Sequence, residues 1–183
     1  TDMTYTALPS AGYSQMVACR RHADGTGRIA IASTRKVVEV QFPSLHATTF
    51  AVPCDDVYGL AYFADYLAVG TLEHLVVLDL QPGLGRPPAT IATLNHHSAK
   101  LSSSTDRSAL FFMSFFKIYR LRADNMHTPE VLYDSLSLAD LGISTHDSDP
   151  NVLYWVESLN EVVSARLVYA CVCVCVCVCV CVC

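Results

Sequence analysis

Four aspartates recur at one constant interval: Asp24, Asp65, Asp106 and Asp147 stand 41 residues apart in succession. A carboxylate can move protons, hold a hard cation, or cap a turn by accepting backbone N–H groups two residues on. The neighbours favour the cap. Asp24 lies in Ala23-Asp-Gly-Thr-Gly27, Asp106 in Thr105-Asp-Arg-Ser108 and Asp147 in His146-Asp-Ser-Asp-Pro150, all runs of turn formers. The four are therefore expected to be structural markers of a repeat, set around the molecule rather than converging on one point. Only Asp147 and Asp149, with Ser148 between them, suggest calcium, and they are weak candidates because that ion takes six or more oxygens.

Other reactive residues assemble into less. His96 and His97 are adjacent, and neighbouring side chains of an extended loop diverge, so a solvated loop is expected there. His146-Asp147 is part of a catalytic triad pattern, but no Gly-x-Ser-x-Gly elbow accompanies it. No His-Glu-x-x-His, phosphate-binding loop or dinucleotide fingerprint occurs. Arg20-Arg21-His22 reads as a solvated basic turn. Seven of the nine cysteines lie between Cys171 and Cys183, leaving Cys19 and Cys54 as free thiols rather than a disulfide framework. No catalytic residue, resident metal or cofactor is assigned, and an enzyme is not the expected class.

The elements that carry these residues are short apolar runs. Arg28–Ser33, Tyr66–Thr71, Ala109–Ser114 and Val152–Glu157 are each followed within a few residues by a second run. Those second runs are Val37–Phe42, Leu75–Leu80, Lys117–Leu121 and Val162–Leu167. β-Branched and aromatic residues over four to six positions, with gaps of two to five, predict strands in hairpins. Two further candidate strands precede each pair. The outer ones are Thr4–Leu8, Thr48–Val52, Ala89–Leu94 and Glu130–Asp134, and the next are Gln15–Cys19, Val57–Tyr62, Ala99–Ser103 and Asp140–Ser144. The body then has four units of four strands, near residues 4–42, 48–80, 89–121 and 130–167, with residues 1–169 as one domain.

Repeated four-stranded units of about 41 residues are the pattern of a β-propeller, whose blades bury their faces against each other. Leu153-Tyr-Trp-Val-Glu157 resembles the core of YWTD repeats. Tyr66-Leu-Ala-Val-Gly70 with Val76-Val-Leu-Asp79 is similar to an NHL blade. The Gly-His and Trp-Asp pairs of WD40 repeats are missing. The resemblance implies an all-β propeller of four-stranded antiparallel blades. Since such families usually close with six or seven blades, an incomplete ring is the expectation, with closure at four blades as the alternative.

The 183 residues carry a formal net charge of −5 and are 52% apolar. That apolar share excludes a disordered chain, and the acidity argues against a nucleic-acid binder. Residues 170–183 form a low-complexity Cys-Val segment. Repeated TG dinucleotides encode such an alternation, and this reading is preferred over a thiolate ladder or a membrane anchor. The sequence assigns no compartment. A binding module for a protein or peptide partner is the leading expectation. The alternatives are a calcium-dependent hydrolase of the propeller lactonase type, and a propeller tethered through its tail. Phe111, Phe112, Phe115, Phe116 and Tyr119 are expected to divide between core and an exposed remainder that could meet the partner.

Overall fold

The computed structural model describes residues 16–33, 35–52, 56–80, 88–96, 100–134, 143–145, 152–158, 161–166 and 178–179. Among these there are sixteen strands in four antiparallel sheets, each in sequence order. The first sheet holds β1 (Met16–Arg21), β2 (Gly27–Ser33), β3 (Lys36–Phe42) and β4 (His46–Ala51). The second holds β5 (Val57–Phe63), β6 (Tyr66–Thr71), β7 (Leu75–Asp79) and β8 (Ala89–Leu94). The third holds β9 (Leu101–Ser103), β10 (Ala109–Ser114), β11 (Lys117–Arg122) and β12 (Asn125–Asp134). The fourth holds β13 (Ile143–Thr145), β14 (Val152–Ser158), β15 (Glu161–Arg166) and β16 (Val178–Cys179).

Side-chain alternation on these strands builds both faces of each sheet. Strand β1 packs on β5, β5 on β9, and β9 on β13, so the sheets radiate from a row of inner strands. Three apolar layers fill the gaps. Ala30, Val37 and Phe50 of the first sheet join Tyr62, Leu67 and Val76 of the second. Phe63, Leu75 and Val77 meet Leu110, Phe112 and Leu121 of the third. Phe111, Met113 and Ile118 meet Leu153 and Trp155 of the fourth. Fully burying a side chain of this size contributes about 1.5–3 kcal/mol, so these layers hold the arc together.

The sheets are offset by one strand from the units expected at 48–80, 89–121 and 130–167. The strand that opens each of those units pairs with the sheet before it: Val37 faces Phe50, Val76 faces Thr93, and Arg120 faces Glu130. A period of 41 residues is the same whichever strand is counted first, so it leaves this phase open. The chain leaves β3 through only three residues, and a hairpin return of that length pairs β4 with the strand just completed. Thr4–Leu8 lies outside the described residues. A second difference concerns the Cys-Val segment. Val178 and Cys179 pair with Ala165 and Ser164, so part of that segment is the outer strand of the fourth sheet rather than a separate tail. Alternating valine is a strong strand former, which accounts for the pairing.

Candidate interaction surface

The aromatic run on β10 and β11 splits between opposite destinations. Phe111 and Phe112 point to opposite faces and are buried in different layers. Tyr119 stacks on Phe112 with ring centroids 5.0 Å apart. Ser114 then pairs with Lys117, which leaves Phe115 and Phe116 as a two-residue loop. A loop that short matches the strand twist when both central residues have positive φ, a site that favours Asn-Gly. Phe115 and Phe116 have φ of 48° and 61° and are 68% and 57% exposed. Holding an L-residue there costs about 1–2 kcal/mol each. Two large aromatic groups thus stand in water on a strained turn.

The rim of this tip is polar. Lys117 Nζ lies 2.7 Å from Asp134, whose carboxylate raises the ammonium pKa through a hydrogen bond and its charge. In the equivalent loop of the second sheet, Leu72 is 50% exposed. Thr71 shapes that loop: its hydroxyl accepts the His74 N–H at 2.9 Å and donates to the His74 carbonyl at 3.0 Å. Both loops join second to third strands, so topology places them on one side of the arc.

The aspartate turns join first to second strands, on the other side. Asp24 accepts the Thr26 hydroxyl at 2.7 Å and its N–H at 2.9 Å. Within the same turn, Gly25 has φ of 83°, and a Cβ on Gly27 would stand 2.8 Å from the Arg20 carbonyl. Asp106 accepts the Ser104 hydroxyl at 2.6 Å and the Ser108 N–H at 3.0 Å. These bonds, led by the Thr26 and Ser104 hydroxyls, hold both carboxyls below the ordinary 3.8. Asp65 does something else. Its exposed carboxylate pairs with Arg20 of the first sheet at 2.9 Å. Asp147 and Asp149 lie outside the described residues.

The turns are also less separate than their spacing suggests. Arg107 donates to the Arg21 carbonyl at 3.1 Å, and the Ala64 N–H donates to the Arg107 carbonyl at 2.7 Å. The link runs through arginine and backbone, so it ties three sheets together without gathering acids. Arg20 is correspondingly not a solvated residue, its side chain being 12% exposed. Among the described residues, no group of three His, Cys, Asp or Glu could hold a metal ion.

Two polar features, one buried and one half-buried, carry no sequence signal that spacing could reveal. Glu39, 5% exposed, lies between the first two sheets. The Tyr62 hydroxyl donates to it at 3.1 Å and Arg28 at 3.4 Å, while Arg28 also reaches the Leu80 carbonyl at 3.1 Å. Burial, then the Glu39 charge, raises the Tyr62 phenol far above its ordinary 10.0. His96, expected in a solvated loop, instead sets its ring 4.6 Å from Tyr119 and 5.4 Å from Phe112. Burial lowers its pKa below 6.5. The following sheet presents an aromatic ledge that an adjacent-histidine pattern does not announce. His97 lies outside the described residues.

Cys19 is a free, exposed thiol on β1, and Cys54 falls outside the described residues. No helix among the described residues is long and apolar enough to cross a membrane.

No protein-family model and no curated protein sequence matches the chain. Solved structures do. The β-propeller domain of Cps50 (Swd1) from Myceliophteria thermophila aligns with a TM-score of 0.55 at 7% identity, over 77% of this chain and 50% of that one. The WD40 domain of Pan2 from Neurospora crassa gives 0.60 at 12% identity, over 82% and 49%. A functionally unknown protein from Desulfotomaculum acetoxidans gives 0.64 at 10% identity, over 88% and 54%. The chain therefore spans about half the length of each. Likeness at such identity speaks for fold and leaves function to the site. Four radiating antiparallel sheets and these structural likenesses together make the chain a β-propeller in fold, built of four-stranded blades.

Proposed function

We infer that this chain is a protein-interaction module, a propeller scaffold whose β10–β11 hairpin tip anchors a protein or peptide partner. The exposure of Phe115 and Phe116 on a turn that disfavours them carries the reading. A pair of apolar rings in water, held at a cost in backbone strain, is what a docking anchor needs. Aromatic anchors dominate binding energy when a partner desolvates them, and a polar rim such as Lys117 and Asp134 excludes water around them. Acidic overall charge and the lack of a basic stripe disfavour nucleic acid as the partner. The repeat type that we favour is NHL or YWTD, on the Leu153-Tyr-Trp-Val-Glu157 and Tyr66–Asp79 patterns. The body, expected from the sequence at residues 1–169, is read as extending to the β16 strand at Val178–Cys179 and as part of a larger ring.

The test is capture of a defined partner by the wild-type chain and by Phe115→Asn/Phe116→Gly. Loss of capture by a variant that remains folded supports the reading. Undiminished capture removes the hairpin from the interface.

A further inference from the structure

The outer strand of the third sheet carries an insertion that the outer strands of the first two lack. Strand β12 pairs Asn125 with Arg122 and Glu130 with Arg120, so residues 126–129 stand opposite Leu121 alone. An ordinary bulge sets two residues against one. In the first sheet β4 follows β3 without a shift, and in the second the ladder slips by a single residue between Val77 and Leu78.

The inserted segment is fastened at both ends. Before it, Arg122 donates from Nε and Nη2 to the two oxygens of Asp124 at 3.2 and 3.3 Å. Met126 is buried in the layer that holds Ala92 and Leu94 of the second sheet. After it, Arg120 donates from Nε and Nη2 to Glu130 at 3.1 and 2.6 Å. Between these anchors His127 and Thr128 are exposed. Pro129 comes next. Proline has no N–H to give to a ladder, so it sits at a bulge without losing a bond. A proline or one extra residue is enough to blunt a sheet edge. This insertion goes further and takes a whole Thr-Pro step out of the ladder. Of the chain's eight prolines, Pro129 alone follows a serine or threonine.

We propose that Thr128 is a phosphorylation site for a proline-directed serine/threonine kinase, with Arg120 and Arg122 as the cations that receive the phosphate. An outer strand lies on the perimeter of a propeller, so further blades in the ring leave it uncovered. The γ-phosphoryl group of ATP passes to Thr128: the Oγ1–P bond forms and the bond from phosphorus to the β–γ bridging oxygen breaks. ADP leaves, and the hydroxyl proton goes to the kinase's catalytic aspartate and then to water. The product carries about −1.5 to −2 charge and three acceptor oxygens, more than a carboxylate offers. Asp124 and Glu130 are 70% and 52% exposed, and exposed pairs hold weakly, so the phosphate displaces them from the guanidinium groups. The charged and titratable groups bordering the segment are these two pairs and His127, and the neighbouring strand β8 adds none.

The experiment incubates the folded full chain with ATP, Mg²⁺ and a proline-directed kinase, and maps phosphate by peptide mass spectrometry. The expected result is phosphate at Thr128, abolished in Thr128→Val. Phosphorus NMR then titrates the product. Its second pKa should fall below the ordinary value of about 6, and Arg122→Gln should raise it by about half a unit, a roughly threefold change in proton affinity. Phe115→Asn/Phe116→Gly should be phosphorylated as the wild type is, which separates this site from the hairpin anchor. No phosphate at Thr128, or phosphate there only after unfolding in urea, overturns the site. A second pKa that is the same with and without Arg122 overturns the role given to the arginines.

Discussion

Replacing Phe115 and Phe116 with Asn and Gly should make the protein more stable and a worse binder. Both residues sit at positive φ, 48° and 61°, in a two-residue hairpin loop. The left-handed region costs an ordinary L-residue about 1–2 kcal/mol. Asn tolerates it better and Gly carries no such penalty, so relief at the two positions is roughly 2 kcal/mol before offsets. One offset is the extra freedom that Gly gives the unfolded chain, about 0.5–1 kcal/mol. The other is lost packing, which is small because the rings are 68% and 57% exposed. The net expectation is about 1 kcal/mol of added stability. For a domain of this size that raises Tm by about 2–4 °C. Differential scanning calorimetry and urea unfolding measure the gain, and partner capture measures the loss. A lower Tm would refute the reasoning, because it would mean that the rings stabilise the fold and are not held out against local strain.

Three further outcomes follow from the buried and capped polar groups. Glu39→Ala removes the acceptor shared by Tyr62 and Arg28 and should destabilise by about 3–5 kcal/mol, the usual cost of breaking a buried pair, with Glu39→Gln milder in urea titration. Alkaline stability should fall because the Tyr62 phenol is raised in the folded state. The raised group contributes its full stability below its unfolded value of 10.0 and loses it progressively above, so Tyr62→Phe should flatten the decline in Tm at high pH. At the acid end, Asp106 is lowered below 3.8, chiefly by the Ser104 hydroxyl, so its contribution is present above that value and is lost as pH falls through the lower folded one. Asp106→Ala should cost about 1 kcal/mol near neutral pH and reduce the acid sensitivity.

Much of the architecture is legible in residue order because strand alternation is a local signal. Val37–Phe42 shows its buried face by alternation, while Leu75–Leu80 and Ala109–Ser114 are continuous apolar runs whose length and composition mark strands buried on both faces. The pairing phase is not local. Thr48–Val52 reads equally well as the first strand of one unit or the last of another, and only the short turn at 43–45 resolves it. Turn capping is visible for Asp24 and Asp106, whose partners are two residues away, whereas Asp65 meets an arginine 45 residues distant. The same distance hides Glu39, whose environment is assembled from two sheets. The aromatic run announces that some rings must be left over, and the Ser114–Lys117 pairing decides which two.

The most direct test of the interaction reading is a photo-crosslinking residue placed at Phe116, with Ile91 as the control. Ile91 is also exposed but lies on β8, an outer strand of the second sheet. The account predicts one defined protein adduct from position 116, absent from position 91 and competed away by the unmodified chain. No adduct at 116, or the same adducts from both positions, would contradict it.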